Sequence, residues 1–308
     1  MPSVQFGLVI PSEFTDPAGP TRLVADADRV LKLAAGHFDS AWVVDHLQAG
    51  NIHRLEGFTT LTYLAARHPQ FRFGNSVLCH AFRNPALLAK MAATLQMLSG
   101  GRFILGMGCG CDEEEHLAYG YEFPDGATRV RQLDEAIQIV KGLWSHPTMT
   151  FKGEFYRVST ASCDPRPEPV PPLMVGAFGP QMLRLVARQA DWWNASSTGP
   201  GRYASMSSTL GRACEALGRD PTTVRRTWCG GVSCAPTRSE AEAQAAGRFS
   251  LSDDFDFGFV GTARDIVEQM HAFIELGVDY FMLDVADFPR LDGLLRLIRS
   301  VLPKIGRG

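Results

Sequence analysis

Residues 84–110 read NPALLAKMAATLQMLSGGRFILGMGCG, and the two halves of this stretch carry different periods. Asn84-Pro85 is a helix start: a side chain able to cap the first free N–H groups, then a ring whose fixed φ suits the first turn. Leu87, Leu88, Met91, Leu95 and Leu98 follow at helical spacing, and Ser99-Gly100-Gly101 supplies the stop. From Phe103 the chain becomes a short apolar run, read as a strand over 103–109, that ends in glycines. A helix feeding directly into a buried strand is one unit of a parallel sheet.

The same unit recurs along the chain. Short runs rich in Val, Ile, Phe and Leu predict strands over 4–10, 40–45, 71–78, 103–109, 172–178, 192–197, 224–235 and 280–286. Between them lie helical stripes such as Val130, Leu133, Ile137, Val140 and Trp144, or Ile266, Val267, Met270, Phe273 and Ile274 behind a Thr262/Asp265 capping box. Two intervals are long. Residues 145–171 hold a candidate hairpin at FKGEFY (151–156) and a proline-rich run. Residues 248–261 hold three aspartates and four phenylalanines and read as a mobile loop that would serve as a lid. Eight βα units predict an α/β fold, a single (β/α)8 TIM barrel over 1–308 with insertions after strands 4 and 7. A doubly wound sheet is the alternative.

Composition agrees. The chain has 308 residues, 45% hydrophobic, 20% charged and 10% aromatic, which excludes disordered and coiled-coil classes. A formal net charge of −3 without a basic run gives no footprint for nucleic acid or anionic lipid, so the expected partner is a small molecule. Seven cysteines form an odd set without a CxxC pair, which points to the reducing cytoplasm. Every apolar run is broken before the ~18–20 residues of a membrane span.

In such a barrel the chemistry gathers at the C-terminal ends of the strands. That marks Glu13, Asp45-His46, residues 76–80, residues 109–112, Phe178-Gly179, residues 194–197, Cys234, Asp284 and Asp287. Gly106-Met107-Gly108-Cys109-Gly110 misses the dinucleotide fingerprint by one residue, but its glycines would let a ligand approach the backbone. Cys109-x-Cys111 near His116 lacks the second pair a structural metal site needs, so no metal is expected. Cys111 is a candidate thiol nucleophile, and no G-x-S-x-G elbow is present. Asp45-His46 is the best acid/base candidate, an imidazole near neutral pH with a carboxylate or backbone group to orient it.

With these residues assembled, the chain resembles the bacterial luciferase-like superfamily of flavin and deazaflavin oxidoreductases. The resemblance is carried by FDSAWVVDH (38–46) and by residues 84–90 and 98–110. Support comes from Arg131-x-x-Asp134-Glu135-Ala136, Ala190-Asp191-Trp192-Trp193-Asn194, Val260-Gly261-Thr262 and LGVDY (276–280). Within it, GNSVL (74–78) and Glu113-Glu114-Glu115-His116 with Tyr119-Gly120 look most similar to the branch that uses coenzyme F-420. The resemblance implies a ring across the barrel mouth against Asp45, His46, Ser76, Val77, Leu78, Gly108, Cys109, Gly110 and Cys111, and a cis peptide at Ser76–Val77. It also implies a phosphate held by Gly176, Ala177, Phe178, Gly179, Asn194, Ser196 and Ser197, where Gly179-Pro180 opens a helix. In two places the chain departs from the branch. Cys111 stands where tryptophan is frequent, and Thr198-Gly199-Pro200 lacks the lysine of members that oxidise sugar phosphates, although Arg202 is close in sequence.

The function so implied is hydride transfer between coenzyme F-420 and a small organic substrate, with His46 moving the proton and Glu13 as a second candidate. The alternatives are a two-component monooxygenase using FMN reduced by a separate flavin reductase, and a non-catalytic flavin binder. Family members are commonly homodimers. The loops at 11–20, 48–56, 145–171 and 248–261 would select the substrate, and their residues suggest a mainly apolar one.

Overall fold

The structure, a computed structural model, describes residues 3–14, 19–48, 50, 52–248 and 258–305. Eight parallel strands close on themselves: Gln5–Val9, Ser40–Val43, Arg72–Asn75, Phe103–Gly108, Leu173–Gly176, Trp192–Ser196, Arg225–Cys234 and Tyr280–Val285. Each pairs with the next, and the ring shuts where Gln5 lies opposite Tyr280. Closure excludes the doubly wound alternative.

Side-chain alternation divides these strands into two cores. Outward residues join the helices in one large cluster, while Val9, Trp42, Ile104, Met174, Trp192, Tyr280 and Met282 fill the barrel interior. Trp42 is fully buried there because two facing positions are glycine. A Cβ on Gly7 would fall 2.3 Å from its Nε1, and one on Gly74 2.3 Å from its Cζ3.

Helix ends follow the sequence signals. Asn84 caps helix Pro85–Leu98 through Ala86 and Leu87, and Thr262 with Asp265 closes both halves of the capping box before helix Ala263–Ile274. The predicted hairpin is present as Met149–Lys152 against Arg157–Ala161, its turn held by Glu135, which accepts from the N–H groups of Glu154, Phe155 and Tyr156. Two expectations change. The third strand stops at Asn75, because a cis peptide between Ser76 and Val77 breaks it before the short strand Leu78–Cys79. The long interval after strand seven is not all loop, since helix Arg238–Arg248 runs into it and Gly258–Gly261 pairs with the seventh strand. Residues 249–257, the proposed lid, lie outside the described residues. No described helix is long and apolar enough to cross a membrane.

Candidate functional site at the barrel mouth

His46 and Asp45 do not act as a pair. The second strand ends at Val43, and beyond it the two side chains part: His46 stays at the mouth with its side chain 36% exposed while the Asp45 side chain is fully buried. Asp45 accepts from Arg83 Nη1 and Nη2 at 2.8 and 2.7 Å and from Cys79 N at 2.9 Å, which makes it an anchor of the wall. Burial works against the charge on Arg83, yet Asp45 and Glu56 hold its guanidinium above the ordinary value.

The carboxylate that meets His46 is Glu115. Its Oε2 lies 3.2 Å from His46 Nδ1, and its Oε1 accepts from Leu47 N and from Gln48 N, the latter at 3.1 Å. Asp112 caps the six-residue helix Glu113–Ala118 by accepting from Glu115 N at 3.0 Å. Glu115 holds the third helical position, from which a capping-box glutamate would reach back to the cap; here it turns to the His46 loop instead. The next residue, His116, braces the same helix. With Nδ1 donating to Asp112 O at 2.6 Å, its Nε2 is left to accept from the Cys79 thiol at 3.3 Å. Burial pushes that thiol up to about 12, so it remains a donor.

Between strands four and five the backbone lacks Cβ atoms where Val77 packs onto it. Val77 stands over it: a Cβ on Gly108 would come 2.6 Å from Val77 Cγ2, and one on Gly176 3.2 Å from the same atom. Gly110 has φ +75°, in the left-handed region, and a Cβ there would meet His116 and Cys79. Beside Val77, Ser76 Oγ lies 3.7 Å from Cys229 Sγ and 3.5 Å from Asn194 Nδ2, and the same amide donates to Ser196 Oγ at 3.2 Å. Thr227 Oγ1 donates to Asn194 Oδ1 at 3.1 Å. Asn194 is therefore a buried strut between strands three, six and seven, not an open anion ligand.

Some predicted contacts do not reach the mouth through their side chains. Leu78 and Ala177 are fully buried in the outer core, and Cys109 Sγ faces Met182 Sδ at 3.1 Å. Cys111 is exposed at the rim, but burial of its sulfur and the Asp112 and Glu115 charges raise its thiol pKa, which argues against a thiolate nucleophile.

The other side of the mouth carries two helix starts. Helices Pro180–Gln189 and Pro200–Glu215 each begin Gly-Pro without a side-chain cap, so their first N–H groups remain available to an anion. Ser196 and Ser197 lie between them, Ser197 with φ +44° and its N–H donating to Cys229 O at 2.8 Å. Arg202, from the second helix, stands over the Phe178 ring at 5.8 Å.

Glu13 sits in a short strand paired with His53–Arg54, and both its oxygens are engaged: Oε1 with Arg248 Nη1 at 2.9 Å, Oε2 with Arg54 Nη2 at 3.0 Å. In the sequence, Glu115 stood out only within the Glu113-Glu114-Glu115-His116 motif and Arg248 only as the start of the 248–261 loop; neither was paired with His46 or Glu13, and Arg83 carried no signal.

A family model described as luciferase-like monooxygenase matches residues 4–255. Among curated proteins, the F420-dependent glucose-6-phosphate dehydrogenase of Kineococcus radiotolerans is 34% identical over 207 residues, 65% of this chain and 61% of that protein. The F420-dependent hydroxymycolic acid dehydrogenase of Mycobacterium tuberculosis is 33% identical over 207 residues, 66% of this chain and 56% of that protein. The chain thus spans about six-tenths of the length of these relatives. Among solved structures, an F420-dependent secondary alcohol dehydrogenase in complex with an F420-acetone adduct superposes with TM-score 0.85 at 19% identity over 99% of both chains. The monooxygenase RslO1 of Streptomyces bottropensis superposes with TM-score 0.82 at 21% identity, over 98% of this chain and all of that one. At these identities the two structures establish the common fold.

Proposed function

From the chain's membership of the luciferase-like monooxygenase family, we propose that it is an oxidoreductase that transfers hydride between coenzyme F-420 and a small organic alcohol or carbonyl compound. The observation that carries this reading is the joint presence, at one mouth, of a carboxylate-oriented imidazole and a glycine floor under Val77. The curated relatives bearing F420 in their names favour the deazaflavin over FMN.

The residues present fit the cofactor. A planar ring needs an apolar face to lie against, and Val77 supplies one, seated close to the strand backbone because Gly108 and Gly176 carry no Cβ to push it outward. A phosphate needs free donors, and the helix starts at Pro180 and Pro200 supply them beside Ser196 and Ser197, with Arg202 as the nearby cation. Bound there, coenzyme F-420 supplies a two-electron hydride carrier. The protein supplies the rest. Glu115 accepts the Nδ1 proton of His46, which leaves Nε2 to take the hydroxyl proton of an alcohol or return it to a carbonyl oxygen. Glu115 also fixes the loop through Leu47 and Gln48, so the imidazole is oriented before substrate arrives. Glu13, with both oxygens on guanidinium groups, we assign to holding Arg248 rather than to moving a proton.

We further take the chain as one barrel domain that works in the cytoplasm, where its seven free cysteines stay reduced, and as a homodimer. The test is His46→Gln. It should abolish F-420 reduction by a secondary alcohol and leave F-420 binding within about twofold; undiminished turnover would overturn the assignment of the proton to His46.

A further inference from the structure

Along the eighth strand the interior positions run Tyr280, Met282, Asp284. The first two belong to the barrel core, and the third sets a carboxyl where that core ends and the mouth begins. Its Oδ1 is buried without a hydrogen-bond partner among the described residues. Arg248 Nη2 stands 3.9 Å from it, beyond hydrogen-bond reach, while Nη1 of the same guanidinium donates to Glu13. A buried carboxyl oxygen left unmatched at a barrel mouth is an acceptor waiting for a donor.

On the reading of this mouth as a hydride-transfer site, we propose that Asp284 is a specificity-determining residue that accepts a hydrogen bond from a neutral hydroxyl of the substrate away from the reacting carbon, so that the preferred substrates are uncharged polyols rather than phosphate esters. The charge pattern selects the class. Glu13 already engages both Arg54 and Arg248, so a phosphate dianion would have to break those pairs and face two carboxyl groups. A hydroxyl needs only the open acceptor.

The groups facing Asp284 set its protonation. Burial raises its carboxyl to about 6, Arg248 draws it down and Glu13 pushes it up. Cys229 on the neighbouring strand keeps its proton, burial having pushed that thiol up to about 12. Above pH 6 the carboxylate form, the stronger acceptor, predominates.

The experiment is a carbon-13 NMR titration of the aspartate carboxyl groups, with Asp284 identified by its loss in Asp284→Asn. It is run alone and with saturating glucose, glucose 6-phosphate or 2-propanol, with and without F-420. A donor that prefers the carboxylate should move the Asp284 midpoint to lower pH. Glucose should produce at least half a pH unit and 2-propanol none, and Asp284→Asn should weaken glucose binding at least tenfold. An unmoved midpoint with glucose, or tighter binding of glucose 6-phosphate than of glucose, overturns the proposal. The two readings fail separately: a glucose-shifted Asp284 in a protein that never reduces F-420 defeats hydride transfer alone, and F-420 reduction by 2-propanol with an unmoved Asp284 defeats the polyol preference alone.

Discussion

Glu115 Oε2 lies 3.2 Å from His46 Nδ1, which joins the end of the second strand to a six-residue helix that follows the fourth. The pairing fixes the imidazole's tautomer and faces it with a carboxylate that is itself buried and held by two backbone N–H groups. One short helix therefore governs the group to which proton transfer is assigned.

Glu115→Gln keeps the shape and the acceptor for Leu47 and Gln48 but removes the charge opposite His46. Steady-state kinetics should show kcat lower by about tenfold or more, consistent with the contribution of positioned proton transfer, with F-420 affinity within about twofold. A variant with unchanged kcat would show that the carboxylate is only structural.

Val77 and Gly108 are complementary. Gly108→Ala places a methyl 2.6 Å from Val77 Cγ2, a clash expected to cost about 1–3 kcal/mol and to weaken cofactor binding. Adding Val77→Ala removes the clashing atom, so the double variant should recover most of the lost stability in a thermal melt. Additive losses would mean that the two side chains do not share the space described.

Gly179 differs from Gly108 in kind. Its φ is −89° and a Cβ there meets open space, so Gly179→Leu should fold normally, with a stability change within about 1 kcal/mol. The bulk would cover the helix start, and F-420 titration should show binding reduced at least tenfold. Unimpaired binding would remove this helix from the phosphate site.

Acid should act through His80. It is 2% exposed, and neither ring nitrogen has a partner among the described residues. Burial, with His116 and Arg129 nearby, lowers its pKa from 6.5 to about 4. The unfolded chain then binds the extra proton between those values, so this group makes stability fall as pH drops from about 6.5 to about 4, by on the order of 3 kcal/mol. In denaturant melts across that range, His80→Phe should flatten this part of the pH dependence, and a slope identical to the parent's would contradict it.

The barrel was legible because its signals are local: the caps at Asn84 and Thr262 and the apolar runs survive in one dimension. The residue types of the mouth were legible too, since strand ends can be counted. Its wiring was not. Asp45 turns to Arg83 and Cys79 rather than to His46, and the carboxylate that does meet the imidazole, Glu115, is 69 positions away and reaches it only once the second, third and fourth strands are laid side by side. Arg248 reaches Glu13 across 235 positions, a distance at which spacing carries no information. The interruption after Asn75, by contrast, was anticipated through the resemblance of GNSVL (74–78) to a family, and no propensity would have placed a cis peptide there.

The most direct test of the account is an anaerobic titration of the purified protein with coenzyme F-420 and with FMN, each oxidised and reduced, followed by tryptophan quenching and cofactor absorbance. The account predicts tight binding of F-420 and its reduction by an alcohol without a flavin reductase. Binding of reduced FMN in preference, with oxygen consumed and no hydride passed to F-420, would contradict it.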